Sequence, residues 1–388
     1  MTVEQLLEKL VSFDVLGGQN NMSIITFIKE YIESYGITTT LLPNKEGTKA
    51  SLHCAIGPDV DGGVILSGHT DVVPVEGQNW TTDPFVLTDK GDGKLYGRGS
   101  CDMKGFVACC LAALPYMLKA DLKKPIYFAF SYDEEVGCLA APELAQALRD
   151  HYKGTPKYAI IGEPSMMEPI IGQKAIYILE TYVNGSQGHS SRIKQEVSAI
   201  HEAARLILWL EAQMDALIAE GRTDDRFYPP HSSIHIGEVA GGIAPNVIAH
   251  EAHFFWDLRT IPSDDIQSIV DAFEAHCRER EAALRPIFKD FSIRTVENHP
   301  IVPHVDTDAN DEVVDLIRRI ANSKSHTTVA YAAEAGHFAN AGFQTAICGP
   351  GSIAQAHRAD EFIEIDQLHK GVAMLETLAN ELSRADFN

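Results

Sequence analysis

The chain has 388 residues, more than one hydrophobic core usually serves, which predicts about two domains. Its composition, 45% hydrophobic with dispersed charge, is that of an ordinary globular protein, and no apolar run approaches the ~18 residues of a membrane span. A formal charge of -22 would repel phosphate backbones and anionic lipid, and Lys and Arg form no long run, so neither nucleic acid nor a membrane is an expected partner.

The amino terminus, MTVEQLLEKLVSF, lacks a basic start, a sustained apolar stretch and a small-residue cleavage site. Its apolar spacing predicts an amphipathic helix capped by Thr2; the missing export signal and the unpaired cysteines predict a cytoplasmic protein. Helical periodicity returns from Ser23 to Ser34 ahead of Gly36, and apolar runs then alternate with helical patterns to about residue 174, the rhythm of an α/β sheet. Between about residues 175 and 298 the pattern changes. An alternating segment, AIYILETYVNG, leads to a long amphipathic helix predicted from Gln195 to Glu220 and ended by Gly221; the strands SSIHIGEVA and VIAHEAHFFWDLR follow. A second helix is predicted to open at Ser263, with Asp264 and Asp265 in its first turn and Ile266, Ile269, Val270, Phe273 and Cys277 on its apolar face, before the strand-like FSIRTVE. Strand, helix, strand, strand, helix, strand is a ferredoxin-like order. After about residue 299 the first rhythm resumes and closes on a helix from about Asp366 to Arg384. The expected fold is one α/β domain, residues 1–174 and 299–388, interrupted by an inserted α+β domain at 175–298. Seven cysteines, odd in number and without a C-x-x-C pair, predict free thiols in place of a disulfide framework.

Acids and histidines collect where predicted strands end. GVILSG ends in His69 and Asp71, PIYFAFSY in Asp133, Glu134 and Glu135, YAIIG in Glu163, and QTAIC leads through GPGSIAQ to His357; Asp102 follows the glycine-rich YGRGSC and opens a small-residue helix. In open α/β sheets, sites form beyond the carboxyl ends of the strands, so these ends can converge on one crevice. Taken singly, such a group is more often structural or solvated. Together, two histidines and several acids with mixed nitrogen and oxygen donors suit zinc, manganese or cobalt, and a carboxylate can bridge two such ions. Other patterns lose support. GPGSIA meets the letter of a dinucleotide loop, but too little chain follows for its βαβ unit; HEAH is one residue short of the zinc-protease helix motif; no G-x-S-x-G elbow or P-loop occurs.

SGHTDVVP, YGRGSCDMKG, DEEVG, IGEP, the GHS of residues 188–190 and GPGSIAQAHRADEFIE stand in this order over the whole chain. This set resembles the metallopeptidase family that holds acetylornithine deacetylase, succinyl-diaminopimelate desuccinylase, aminoacylase and a bacterial glutamate carboxypeptidase. The resemblance implies a mixed-sheet, zinc-peptidase-like catalytic domain carrying a ferredoxin-like lid and dimerisation domain, hence a homodimer. It implies that Asp102 bridges two divalent ions, Zn2+ first with Co2+ or Mn2+ as substitutes, that His69 and Glu163 complete one site and Glu135 and His357 the other, and that Glu134 is the general base for attack by water. Asp71 would accept the second N–H of His69 and fix its tautomer, and a cis peptide would follow Asp102. From the inserted domain, His189 would stabilise the oxyanion in the partner subunit's active site, while Asn246 and Arg259 would hold the substrate's α-carboxylate. The implied substrate is a small N-acyl amino acid. The stretch YAAEAGHFANAG and the motif ending in HRADEFIE look most like acetylornithine deacetylases, which implies release of acetate from N2-acetyl-L-ornithine for arginine biosynthesis, with Glu334 meeting the δ-ammonium. Desuccinylase, dipeptidase or aminoacylase activity would use the same centre with a different pocket, and a non-catalytic metal-dependent binding protein is the reading from another class.

Overall fold

The computed structural model describes residues 1–387. Four short apolar runs, Val64–His69, Ile126–Ser131, Tyr158–Pro164 and Gln344–Gly349, are buried almost along their whole length, the mark of strands covered on both faces. They lie side by side at the centre of a sheet of nine strands among the described residues. From one edge its order is Thr39–Pro43, Ala50–Ile56, Ile126–Ser131, Val64–His69, Tyr158–Pro164, Gln344–Gly349, Ile170–Gln173 and Val305–Asp306, with Thr327–Val329 beside Ile170–Gln173. The four central strands are mutually parallel, whereas Ala50–Ile56 is antiparallel to both of its neighbours and Ile170–Gln173 is antiparallel to Gln344–Gly349. The sheet is therefore mixed, as the family resemblance implied, and its parallel strands send their carboxyl ends the same way.

The helices follow local chemistry. Thr2 caps Val3–Val11 in a capping box, its hydroxyl accepting from Gln5 N–H while the Gln5 side chain accepts from Thr2 N–H. Lys104–Met117 is buried nearly all round and packs against Val3–Val11 and Ile365–Leu382. Small residues permit that approach: a Cβ at Gly371 would lie 2.7 Å from Cys109 Sγ. All seven cysteines are free and buried. Among the described residues no helix is long and apolar enough to cross a membrane.

The chain divides into two compact units, one formed by Met1–Gly172, Val305–Thr328 and the stretch from Ala333 onward, the other by Gln173–His304 with Val329–Ala332. The second unit runs past residue 298 because its last strand, Ser292–Val302, continues to pair with Ala175–Asn184 as far as Val302 opposite Ile176. Its sheet, ordered Ser233–Gly241, Glu251–Thr260, Ala175–Asn184, Ser292–Val302, is antiparallel throughout, the ferredoxin-like arrangement. Burial alternates along Glu251–Thr260, with Ala252, Phe254, Trp256, Leu258 and Thr260 inside, and Phe254, Trp256 and Leu258 pack with Leu206, Leu210, Ile269 and Phe273 of the two helices.

Element boundaries within this unit differ from the sequence expectation. The first helix of this unit spans Ala199–Ala219, not Gln195–Glu220, because Ser198 caps it through His201 N–H while Val197 is held back by hydrogen bonds with Ser186. The second spans Ile266–Leu284 and is capped by Asp265, which accepts from Gln267 N–H, so Ser263 lies outside. VIAHEAHFFWDLR is two strands: Val247–Ile248 pairs with Gly188–His189, and the chain enters the main sheet only at Glu251.

Candidate dinuclear metal centre

All the donor groups but Asp102 arrive by a local device at or beyond the carboxyl end of a central strand. His69 is the last residue of Val64–His69. After Ile126–Ser131 the chain turns at Asp133, which adopts a left-handed φ of 58° that a short polar side chain tolerates. Its carboxylate accepts from Gly18 N–H at 2.9 Å and pairs with Lys49, and the turn presents Glu134 and Glu135. Glu163 lies near the end of Tyr158–Pro164 behind Gly162, where a Cβ would fall 2.0 Å from the Phe106 ring, so only glycine admits that packing. Gly351 (φ +87°) and the short helix Ile353–Gln355, capped by Ser352, lead to His357. Asp102 follows a buried loop and is joined to Met103 by a cis peptide bond.

These groups meet. His69 Nε2 lies 3.1 Å from Asp102 Oδ1 and 3.7 Å from Glu163 Oε1, whereas His357 Nε2 lies 3.0 Å from Glu135 Oε2 and 3.4 Å from Asp102 Oδ2. The two oxygens of Asp102 thus face different histidines. Ligand atoms of His69, Asp102 and Glu135, and separately of His69, Glu134 and Glu163, lie within 4.8 Å of one another.

Burial and crowding of like charge dominate the electrostatics. Burial, joined by Glu135, Asp102 and Asp71 and only partly relieved by His69, pushes the Glu134 carboxyl up to about 8. Burial and the Asp102 charge push Glu135 up to about 7, and burial with the same neighbour raises Glu163 well above the usual carboxyl range. Hydrogen bonds from His357 and His69 overcome burial and hold Asp102 below its ordinary value. Asp102 and Glu135 in turn lift His357 to about 10. Glu163 Oε1 is buried without a hydrogen-bond partner. Acids whose pKa values burial and neighbouring carboxylates raise, an orphan oxygen aimed into the cluster and mixed imidazole and carboxylate donors are together what a divalent cation would resolve, so the residues fit the metal group. A cleft of ≈ 610 Å³ lined by Met166, Asn322 and Lys370 carries no such donor set, so donor chemistry marks the site better than volume.

A pH dependence follows from the signs. Glu134 and Glu135 have folded pKa values above their unfolded ones, so their stabilising contribution is complete below about pH 4.5 and is lost as pH rises through about 7 and about 8; Glu163 and His357, also raised, act in the same direction above their ordinary values. Chelated protein is expected to lose stability steadily from about pH 5 to 8. Zinc binds the folded form and offsets that loss, so its addition should raise Tm by ~5 °C or more at pH 8 and by less at pH 6. Equal gains at both pH values in thermal melts would contradict this account.

Several positions differ from expectation. His69 Nδ1 meets the backbone carbonyl of Asp71 at 2.9 Å, while the Asp71 carboxylate stands 3.6 Å away, beyond hydrogen-bond reach. That carboxylate instead accepts the backbone N–H groups of Glu134 and Glu135, at 3.2 Å each, and so holds the turn that bears them. Glu334 is not open to a ligand: it is fully buried, and its two oxygens are hydrogen-bonded to the hydroxyls of Ser67 at 2.6 Å and Ser131 at 2.7 Å. A carboxyl tied this way braces two central strands and does not present itself to an ammonium. In the second unit, exposed His189 pairs across a two-residue ladder with Val247, next to exposed Asn246, whose carbonyl accepts from Ser190 N–H. Arg259 stands apart from them with its fork closed on Asp257, Nε and Nη2 at 3.1 and 3.2 Å, and Nη1 on the Ala330 carbonyl. Sequence reading passed over Glu361 and Arg98, a buried ion pair at 2.7 Å beneath the Asp102 loop. Its local signals were an acid inside the motif that bears His357 and an arginine inside the motif that bears Asp102.

Residues 65–381 match the sequence profile of Peptidase family M20/M25/M40. An acetylornithine deacetylase of Shigella sonnei (strain Ss046) is 33% identical over 355 residues, 89% of this chain and 87% of that protein. Among solved structures, the M20 family metallo-carboxypeptidase Sso-CP2 of Sulfolobus solfataricus aligns with a TM-score of 0.77 at 17% identity, covering 98% of this chain and 99% of that one. The YXEP protein of Bacillus subtilis, described as a dinuclear metal binding peptidase, aligns at 0.65 and 15% identity, covering 97% and 96%. The structural likenesses establish the fold, and the profile match and the sequence relative establish more: the chain belongs to Peptidase family M20/M25/M40 and is a hydrolase of that family.

Proposed function

We propose that the enzyme removes the acetyl group from N2-acetyl-L-ornithine, giving L-ornithine and acetate for arginine biosynthesis in the cytoplasm, with two divalent ions bound, Zn2+ in first place. The observation that carries the chemistry is Asp102 set between His69 and His357 with Glu134 in the same donor cluster; the similarity to an acetylornithine deacetylase supports the choice of acyl group and amine. Divalent ions at such a centre supply Lewis acidity and bring the pKa of water towards neutrality. Asp102 would be shared by both ions, His69 and Glu163 completing one set of ligands and Glu135 and His357 the other.

Glu134 takes the proton from water as it attacks the acyl carbon and delivers it to the leaving amine nitrogen. Burial and the neighbouring carboxylates raise the Glu134 pKa and bound cations would lower it, which favours a carboxyl that can both take and give a proton. Asp71 keeps base and ligand in register through its bonds to the backbone N–H groups of Glu134 and Glu135. In this reading the protein is a homodimer in which His189 donates to the oxyanion, Asn246 binds the substrate's α-carboxylate, and Arg259 joins it by exchanging Asp257 for that group.

The test is hydrolysis of N-acetyl-L-ornithine beside N-succinyl-diaminopimelate, other N-acetyl amino acids and a dipeptide by zinc- and cobalt-loaded enzyme, with a chelated control. Chelator-sensitive turnover with the highest kcat/KM on N-acetyl-L-ornithine is expected. A better substrate elsewhere in the panel would replace the substrate and keep the centre, and silence on all would overturn both. In the same assay His189→Ala should lower kcat by roughly 10²–10³-fold as an oxyanion donor is lost; an unchanged kcat/KM removes His189 from this role.

A further inference from the structure

Glu361 is 1% exposed and its carboxylate accepts four hydrogen bonds. Oε1 takes the backbone N–H groups of Cys101 at 2.9 Å and Asp102 at 3.0 Å; Oε2 takes Gly99 N–H at 3.1 Å and Arg98 Nη1 at 2.7 Å. The loop that delivers Asp102 is therefore wrapped around a single buried side chain. Space around it is tight, since a Cβ at Gly99, where φ is +78°, would lie 2.7 Å from Val72 Cγ1. Arg98 carries the network onward, with Nη2 to Gln78 Oε1 at 2.5 Å, Nη1 to the Arg358 carbonyl at 3.3 Å and its guanidinium 5.1 Å from the centre of the Trp80 ring. Gln78 Nε2 then donates to the backbone carbonyl of His357 at 2.9 Å. One chain of hydrogen bonds thus runs from the backbone of Asp102 to the backbone of His357 through three side chains that belong to neither donor set.

We propose that Glu361 is a positioning residue which, with Arg98 and Gln78, fixes Asp102 relative to His357 and thereby sets how tightly the two ions are held; this rests on reading Asp102 and His357 as metal ligands. The physical reason is geometric. Asp102 must aim one oxygen at each histidine, and that aim survives only if the loop backbone cannot swing. Stability alone is a poor explanation, because a buried ion pair often contributes little net free energy compared with apolar packing. A carboxylate is required because both of its oxygens act as acceptors. Glutamine would turn an NH2 group towards two donors, whichever way it is flipped.

The test is zinc titrated calorimetrically into chelator-stripped wild type, Asp102→Asn, Glu361→Gln and Gln78→Ala, well below the apoprotein Tm of each. Wild type should take up two ions and Asp102→Asn should not; an Asp102→Asn protein that bound both ions like wild type would remove the ligand reading itself. With that reading intact, Glu361→Gln should bind zinc about 10–100-fold more weakly, with turnover recovered at raised zinc. Wild-type affinity in folded Glu361→Gln, accompanied only by a lower apoprotein Tm, would assign Glu361 to the fold and overturn the proposal. If Glu361→Gln does not fold, Gln78→Ala decides: weaker binding of one ion supports the brace, and wild-type affinity for both overturns it.

Discussion

Glu134→Gln should leave a folded protein with both ions bound and lower kcat by roughly 10²–10⁴-fold. Glutamine keeps the shape of the side chain but cannot accept a proton, and the backbone N–H of residue 134 would still be held by Asp71. The cluster makes this a genuine test, because Glu134 also groups with His69 and Glu163 as a candidate ligand. If it served as one, the variant would lose an ion along with its activity. Metal analysis beside kinetics separates the outcomes: two ions without turnover assigns Glu134 to proton transfer, and a missing ion assigns it to coordination. A bound cation favours the charged carboxylate, so in the loaded enzyme the Glu134 pKa should lie below its metal-free value of about 8. Wild-type kcat/KM should therefore fall as pH drops through that lower value, and the residual activity of the variant should lack this limb.

Asp102→Asn should abolish binding of both ions, whereas Glu163→Gln should cost one. The difference rests on where the oxygens point. Asp102 Oδ1 and Oδ2 face His69 and His357 respectively, at 3.1 and 3.4 Å, while of the two histidines Glu163 approaches His69, at 3.7 Å. An amide puts an NH2 group opposite one histidine and removes the charge both ions would share, so neither half keeps a full donor set. Turnover of Asp102→Asn should be no higher than that of Glu134→Gln. The measurement is zinc content after dialysis against buffer without chelator. An Asp102→Asn protein that keeps one ion at wild-type affinity would show that the aspartate serves a single site.

Much of this was legible locally. Strands buried on both faces are written as short apolar runs, and a histidine or acid at the end of such a run needs no knowledge of the partner strand to be noticed; hence His69, Glu134, Glu135, Glu163 and His357 could be read from the chain and are found together. The inserted unit was equally readable, because alternation in Glu251–Thr260 and helical spacing in Ala199–Ala219 are properties of neighbouring residues. Cap residues were harder to place, since Ser198 and Asp265 are distinguished from nearby polar residues only by which backbone N–H they reach.

What the chain determined by itself is the inventory of donors and the strand ends that carry them. What tertiary structure decided is which atom of each group is used. Asp71 turns its carbonyl to His69 and its carboxylate to the next strand's turn, Glu334 closes on serines from two strands, and Glu361 gathers a loop that lies more than two hundred residues before it. Residue type sets what a side chain can bond, but burial and the approach of distant backbone set what it does bond, and neither is encoded in the spacing of its neighbours.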